Sequence, residues 1–481
     1  MDDVFKKNLL IYLVVSAITF ALFILVRQAG ISVLLFIAVQ FGFLYFLVPY
    51  KKPLLLFIPI FVLGLNSFIS ANTMWQLPNF FVGLVLYGVM TLWLCGQFSF
   101  GDSFMRFLVK PLVILFAPFT YFKLPVSWSM EGRRESIPLI KRVALGVAIS
   151  IPVLIFLIAM LSGADEIFNM VVGDFFSRLS FGVNFRTIGR FLIGIFVGFY
   201  LFGLIFYVHD AERTPVEVND IKQKKGDLLV INIVLSSVLL IYTVFVVIQF
   251  RYLFASPDNL PYGLDFVQYA RRGFFELMAL AGVNIFSILI TIWLTAWHNG
   301  FGTKLNRGLC QYLCGVTVVL LVSSFYRMWL YGSDDGLTRM RFMVFCFLVF
   351  KAFGLGATFV YIAKPKFNIV AVYTVIALVF YLFLNVVPMD SIVARSQVNR
   401  YLNTGRGGVS YVLSLSPDAA GQVMRLIENG GAYTQSRAVE FFDRDYYSGW
   451  RQFNLSLWRY RIKARPWDGV PAVFILIQPP C

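Results

Sequence analysis

Apolar residues in this chain neither alternate nor recur every third or fourth position. They run on unbroken for about 20 residues at a time, between short polar breaks. Eleven runs have this form: 9–26, 30–48, 53–70, 79–95, 143–162, 188–208, 229–249, 274–296, 309–329, 341–361 and 367–387. Each is long enough, as a helix, to cross a hydrocarbon core of about 30 Å. Lipid admits only helices and closed barrels, and a barrel needs alternating strands of about ten residues. The pattern therefore predicts an all-α integral membrane protein with about eleven transmembrane helices. The stretch 104–120 is broken by Arg106, Lys110, Pro111 and Pro118, so it is expected to be interfacial or re-entrant. The first run carries Lys6 and Lys7 ahead of it and is too long for a cleaved leader, which makes it a retained signal anchor.

The pattern changes at Pro388. Residues 389–481 contain no run long enough to span, and 390–481 hold eleven basic and seven acidic residues. Two regions follow: a polytopic bundle over 1–388 and a small soluble C-terminal domain over 389–481. Within the latter, Ser416, Pro417 and Gly430 bracket a short helix as N-cap, first-turn proline and stop.

Composition agrees with the class. Of 481 residues, 59% are hydrophobic and 14% charged, against about 25% charged in a soluble protein. The net charge of +16 is mainly a topology signal. With the N-terminus in the cytoplasm, nineteen Lys and Arg fall in the inner segments and ten, all Arg, in the outer ones before residue 388. That bias places the N-terminus inside and the C-terminal domain outside. No concentrated basic face is present, which excludes nucleic acid as a partner.

Candidate chemistry is sparse. There is no HExxH, GxSxG, P-loop or CxxC, and the GRGG at 405–408 lacks the Lys-Ser or Lys-Thr of a phosphate loop. Cys310 and Cys314, one helical turn apart, are read as packing thiols. No catalytic, cofactor or metal-ligating residue is assigned. Charge gathers instead at the outer ends of the later spans, in the loops 163–187, 250–273 and 330–340. Arg271, Arg272, Glu276, Arg327, Arg339 and Arg341 form a rim there. An Arg fork suits a phosphate or carboxylate, so these residues are candidate contacts for an anionic lipid headgroup or solute; interfacial anchoring of span ends is the competing reading. Arg272 and Glu276 stand one turn apart, a spacing that allows an ion pair. Lys351 falls in the middle of 341–361, where a charge needs a partner or a wet cavity: a carbonyl, a polar side chain such as Asn232, Asn284 or Asn385, or a bound anion.

Four segments carry a resemblance: YARRGFFEL (269–277), GLTRMR (336–341), VSYVLSLSPDA (409–419) and GWRQFNLSLWRYR (449–461). In this order they resemble a family of uncharacterised bacterial polytopic membrane proteins known as a domain of unknown function, over roughly residues 140–465. Arg339 stands where that family tends to have Glu, and Arg272 where it often has an acidic or amide residue, which pushes the rim positive. The resemblance implies a multi-pass protein of the bacterial inner membrane and imports no activity. Two functional expectations remain. One is transport or handling of an anionic solute or lipid; the other is a non-enzymatic envelope scaffold or sensor that presents its C-terminal domain to a partner protein.

Overall fold

The computed structural model describes residues 3–25, 30–47, 52–94, 115–129, 185–211, 226–253, 274–295, 300–364, 368–431 and 449–468, with scattered positions in 150–172 and 434–442. Among them every regular element is helical. The membrane part comprises α1 Asp3–Phe23, α2 Ile31–Leu47, α3 Phe57–Ile69, α4 Gln76–Leu94, the short α5 Leu124–Ser129, α6 Phe185–Ala211, α7 Leu228–Leu253, α8 Phe274–Leu294, α9 Phe301–Asp335, α10 Arg339–Ala363 and α11 Ile369–Val386. The tail adds α12 Met389–Thr404, α13 Val409–Leu413, α14 Ala420–Asn429 and α15 Leu455–Asp468.

Among the described residues, eight helical stretches are long and apolar enough to cross a membrane, and Ile31–Leu47 and Pro53–Ile69 are shorter apolar helices. The eleventh expected span, 143–162, lies almost wholly outside the described residues. Of 104–120, the described part starts at residue 115 and forms a 3₁₀ turn at Ala117–Tyr121.

Two helix clusters make up the bundle. In the first, α1 to α4 and α6 enclose Leu9, Tyr12, Leu44, Phe57, Met90 and Phe202. Its tightest contact is α1 against α6. A Cβ at Gly198 would lie 2.8 Å from Ala17 Cβ, and one at Gly194 would lie 2.8 Å from Ala21 Cβ. Small residues four apart on both helices let the backbones meet, which is how helices gain packing in lipid where no hydrophobic drive separates them from the solvent. The second cluster, from α7 to α10, encloses Phe274, Ala281, Ile288, Leu313, Leu320 and Leu348. Cys310 and Cys314 are buried in that core.

Helix α11 runs along α10 and also packs on α3, joining the clusters. The seam is polar at one end. Asn79 donates to Asn385 Oδ1 at 2.7 Å and accepts from the Tyr381 hydroxyl at 2.7 Å, while Asn66 donates to the Asn385 carbonyl. Buried amides satisfied this fully cost little in hydrocarbon and fix the relative height of two helices.

The described helix ends sort onto two faces. The C-terminal ends of α1, α3, α9 and α11 meet the tail. At the far face, Phe5 stacks on His209, Tyr121 donates to Asp210 at 2.9 Å, Lys6 lies over the Trp128 ring, and Gly226 donates to the Leu294 carbonyl at 3.0 Å. Ser129 is therefore at the far face, and Phe185 begins the helix that descends to it.

One expected loop is corrected. Residues 330–340 do not form an outer loop: α9 continues to Asp335 and α10 starts at Arg339. Only Gly336, Leu337 and Thr338 lie between. Helix α9 is not obliged to end where its apolar window ends. It ends at Gly336, where φ is +79° and any Cβ would meet the Gln397 side chain.

Candidate functional site

The charged rim predicted at the end of the later spans becomes, in three dimensions, the seat of the tail. Thr338 caps α10, its hydroxyl accepting from Arg341 N–H at 3.3 Å. This sets Arg339 in the first turn, facing α12. Its guanidinium grips Asp390 with two parallel bonds, Nε to Oδ1 and Nη2 to Oδ2, each 2.6 Å. The Asp390 carboxylate is wholly buried. It also accepts from Ser416 Oγ and, at 3.2 Å, from the Ser416 amide. The Arg339 amide donates to the Tyr411 hydroxyl at 2.8 Å. The sharp turn at Gly336 is held by Gln397, which donates to the Leu337 carbonyl at 2.9 Å and accepts from Gly408 at 3.1 Å. Arg341, also buried, donates to the Gly336 carbonyl.

A second set of bonds ties the tail to the other cluster. Asp418 accepts from the Ala71 amide at 2.8 Å and from the Ser70 hydroxyl, just past the end of α3. Asn454 donates to the carbonyls of Ser67 at 2.8 Å and Ser70 at 2.6 Å. Those carbonyls lie in the last turn of α3 and at its C-cap, where no intrahelical donor is left for them. The same Asn454 caps α15, its Oδ1 accepting from Ser456 at 2.8 Å and Leu457 at 3.2 Å. Ile31, at the start of α2, donates to the Phe453 carbonyl at 3.0 Å. Behind these bonds Val393, Val398, Val423, Leu426, Phe441 and Tyr460 form a core of the tail's own, onto which Leu337, Phe342 and Met343 of the bundle pack.

The expected residues fall in different places. Arg339 and Arg341 come together at the junction, and Arg327 is buried lower in α9. Glu276 is exposed in the first turn of α8. Arg271 and Arg272, with the expected Arg272–Glu276 pair, lie outside the described residues. Arg339, read as a residue that makes the rim positive, is instead neutralised by Asp390, an acid supplied from the tail. Lys351 donates to the Met278 carbonyl on α8 and lies 4.9 Å from the centre of the Phe347 ring. The side chains expected as its partners are engaged elsewhere: Asn232 with Asn306, Asn284 with Tyr242, Asn385 with Asn79. Ser416 and Gly430 flank the expected tail helix, Ser416 at the N-cap position ahead of Pro417 and Gly430 at the stop. The Ser416 hydroxyl, however, donates to Asp390 and makes no capping bond. Asp390 carries no signal in sequence, and Asp418 and Asn454 stand there only as members of two resemblance segments, because each is an isolated polar residue with no periodic signal.

The arrangement binds two helix clusters and a tail into one body. Among the described residues no group of His, Cys, Asp and Glu is placed to hold a metal ion. The class this defines is a polytopic helical protein, apolar enough to be membrane-embedded, with its C-terminal helices docked on one face. The chain belongs to the family described as Domain of unknown function (DUF4153), whose model matches residues 14–426. That match begins well before residue 140 and stops short of the GWRQFNLSLWRYR segment, so it both extends and trims the span of the resemblance drawn from sequence. No curated protein and no solved structure matches the chain.

Proposed function

We propose that this protein is a non-enzymatic membrane scaffold whose bundle holds the C-terminal helices in fixed register at one face for a partner protein. One observation carries the reading: the tail is bonded to both helix clusters, through Arg339–Asp390 on one side and through Asp418 and Asn454 on the other. A passive tether needs none of these buried polar contacts. A platform that must present a surface gains from them, because a surface already ordered loses less entropy when a partner binds. The division into a bundle over 1–388 and a tail domain over 389–481 is part of this reading, supported by the tail's own core. So is the orientation, with the N-terminus in the cytoplasm and the tail outside the inner membrane, supported by the excess of Lys and Arg on the inner segments.

Photo-crosslinkers at the exposed positions Arg395 and Arg406 of the full-length protein in intact cells test it. The expected result is one protein adduct that disappears when Asp390→Asn or Asn454→Asp loosens the tail. Adducts at neither position would overturn the reading.

A second reading, transport or handling of an anionic solute or lipid, is favoured by Lys351. Its ammonium sits midway along α10 with a backbone carbonyl as partner, a costly placement in hydrocarbon. If the reading holds, Lys351→Met abolishes anion flux or binding in reconstituted vesicles while the protein stays folded. Flux or binding unchanged by that substitution would remove the lysine from any such role.

A further inference from the structure

The tail edge from Trp450 to Lys463 combines three features, of which the scaffold reading uses only the Asn454 bonds. The first is its height. The Trp450 ring stands edge-on to Phe23 at 6.3 Å, at the end of α1. Phe453 accepts from Ile31 at the start of α2, and its ring lies 6.0 Å from Phe68 in the last turn of α3. Asn454 holds the final carbonyls of α3. Three apolar helices therefore stop at the level of residues 450–454, which places this edge at the boundary between hydrocarbon and water.

The second feature is exposed apolar surface at that level. Trp450 is 62% exposed, Trp458 46% and Ile462 38%. Trp458 and Ile462 are one turn apart, on one side of α15. Tryptophan with one apolar and one polar edge is suited to the headgroup layer. The third feature is charge. Residues 449–463 carry Arg451, Arg459, Arg461 and Lys463 and no acidic residue. The Arg451 guanidinium lies 5.6 Å from the centre of the Trp450 ring, a stacking that holds a cation beside the aromatic anchor. Arg459 is exposed next to Trp458.

We propose that this edge is a binding surface for the phosphate headgroups of anionic phospholipid, with Trp450, Trp458 and Ile462 entering the interface and Arg451 and Arg459 meeting the phosphates. Charge complementarity selects the occupant. A neutral membrane surface satisfies the aromatic residues but offers nothing to Arg451 and Arg459, and two cations beside exposed tryptophans at headgroup height are a pattern that draws anionic lipid. The proposal is independent of the scaffold reading: it concerns what lies beneath the tail, not what docks on it.

The experiment uses full-length protein in nanodiscs containing lipid brominated at a shallow acyl position. Bromine quenches tryptophan on contact, and the difference between the wild type and a Trp450→Phe, Trp458→Phe variant isolates these two of the nine tryptophans. The two should be quenched more strongly when the bromines are on phosphatidylglycerol than when they are on phosphatidylcholine in the same mixture. Arg451→Gln and Arg459→Gln should each reduce that preference about fivefold. Protease resistance of the tail is measured in parallel, so that a variant that merely unfolds is recognised and replaced by Arg→Lys at the same position, which retains the preference. Two results would overturn the proposal. In one, the tryptophans are unquenched in both lipids, and the edge faces water or protein. In the other, quenching is equal in both lipids and indifferent to the Arg substitutions, and the edge is a neutral aromatic belt.

Discussion

Arg339 and Asp390 meet in a two-point grip across the junction between α10 and α12, with 2.6 Å on each arm, the carboxylate fully buried and the guanidinium side chain 30% exposed. The geometry divides the labour unequally. Arg339 retains some water, while Asp390 depends on its protein partners, Arg339 and Ser416, for every compensating contact. Removing one partner of a buried pair leaves a charge with nothing to offset its desolvation, which costs on the order of 3 kcal/mol. Arg339→Met should therefore destabilise the tail more than Asp390→Asn, since the latter leaves a neutral amide that still accepts from Ser416. Thermal unfolding in detergent micelles, with trypsin cleavage after α12 as the local readout, measures the order. Equal effects would mean that the pair's charge is immaterial.

Asn454 offers a finer dissection, because its two ends do different work. Oδ1 caps α15, and Nδ2 holds the last carbonyls of α3. Asn454→Asp keeps an acceptor for the cap and loses the donor, turning a carboxylate toward two carbonyls. Asn454→Ala loses both. A lost cap costs about 1 kcal/mol, and each buried carbonyl left without a donor about 1–3 kcal/mol. The Asp variant should free the tail from α3 while α15 stays helical, and the Ala variant should also fray α15. Hydrogen exchange at Ser456 and Leu457, compared with protease access at Ser70, separates the two effects.

The helices of the bundle were legible because lipid leaves the backbone no alternative: a 20-residue apolar run must satisfy its own hydrogen bonds. Their ends were less so. Nothing in Trp329 to Asp335 marks that α9 continues beyond its apolar window. The junction was legible only in part. Arg339 stood out as charge beside a span, but its partner lies 51 residues on, and Asn454 meets Ser70 across 384 residues. Pairings at such separations leave no trace in local spacing. Lys351 is conspicuous in sequence because a mid-span charge is costly, and a carbonyl is among its expected partners; which carbonyl, that of Met278, depends on how α8 and α10 cross.

The α1–α6 contact predicts a graded glycine series. A side chain at Gly198 meets Ala17 and the Leu13 carbonyl at 2.8 Å, whereas at Gly189, on the same helix, nothing lies within 4 Å. Gly198→Leu should separate the helices and lower the melting temperature by many degrees, through overpacking that costs about 1–3 kcal/mol or more. Gly189→Ala should be neutral or mildly stabilising, since alanine is the better helix former. A Gly198→Leu protein that melts with the wild type would show that α1 and α6 do not pack through these residues.

The two faces of the bundle give the last prediction. Arg406 is exposed in the turn after α12, on the tail face, and Lys304 is exposed in the first turn of α9, at the far face. A cysteine at either site can be labelled by a membrane-impermeant maleimide from one side only, once the native thiols at Cys95, Cys310, Cys314, Cys346 and Cys481 are replaced. The excess of Lys and Arg on the segments that precede and follow Lys304's face predicts which side is which. Arg406→Cys should label in intact cells, and Lys304→Cys only after permeabilisation. Reversed labelling would invert the orientation and leave the fold untouched. Labelling of both from one side would be incompatible with Phe301–Trp329 crossing the membrane between them, and would refute the assignment of helix ends to two faces.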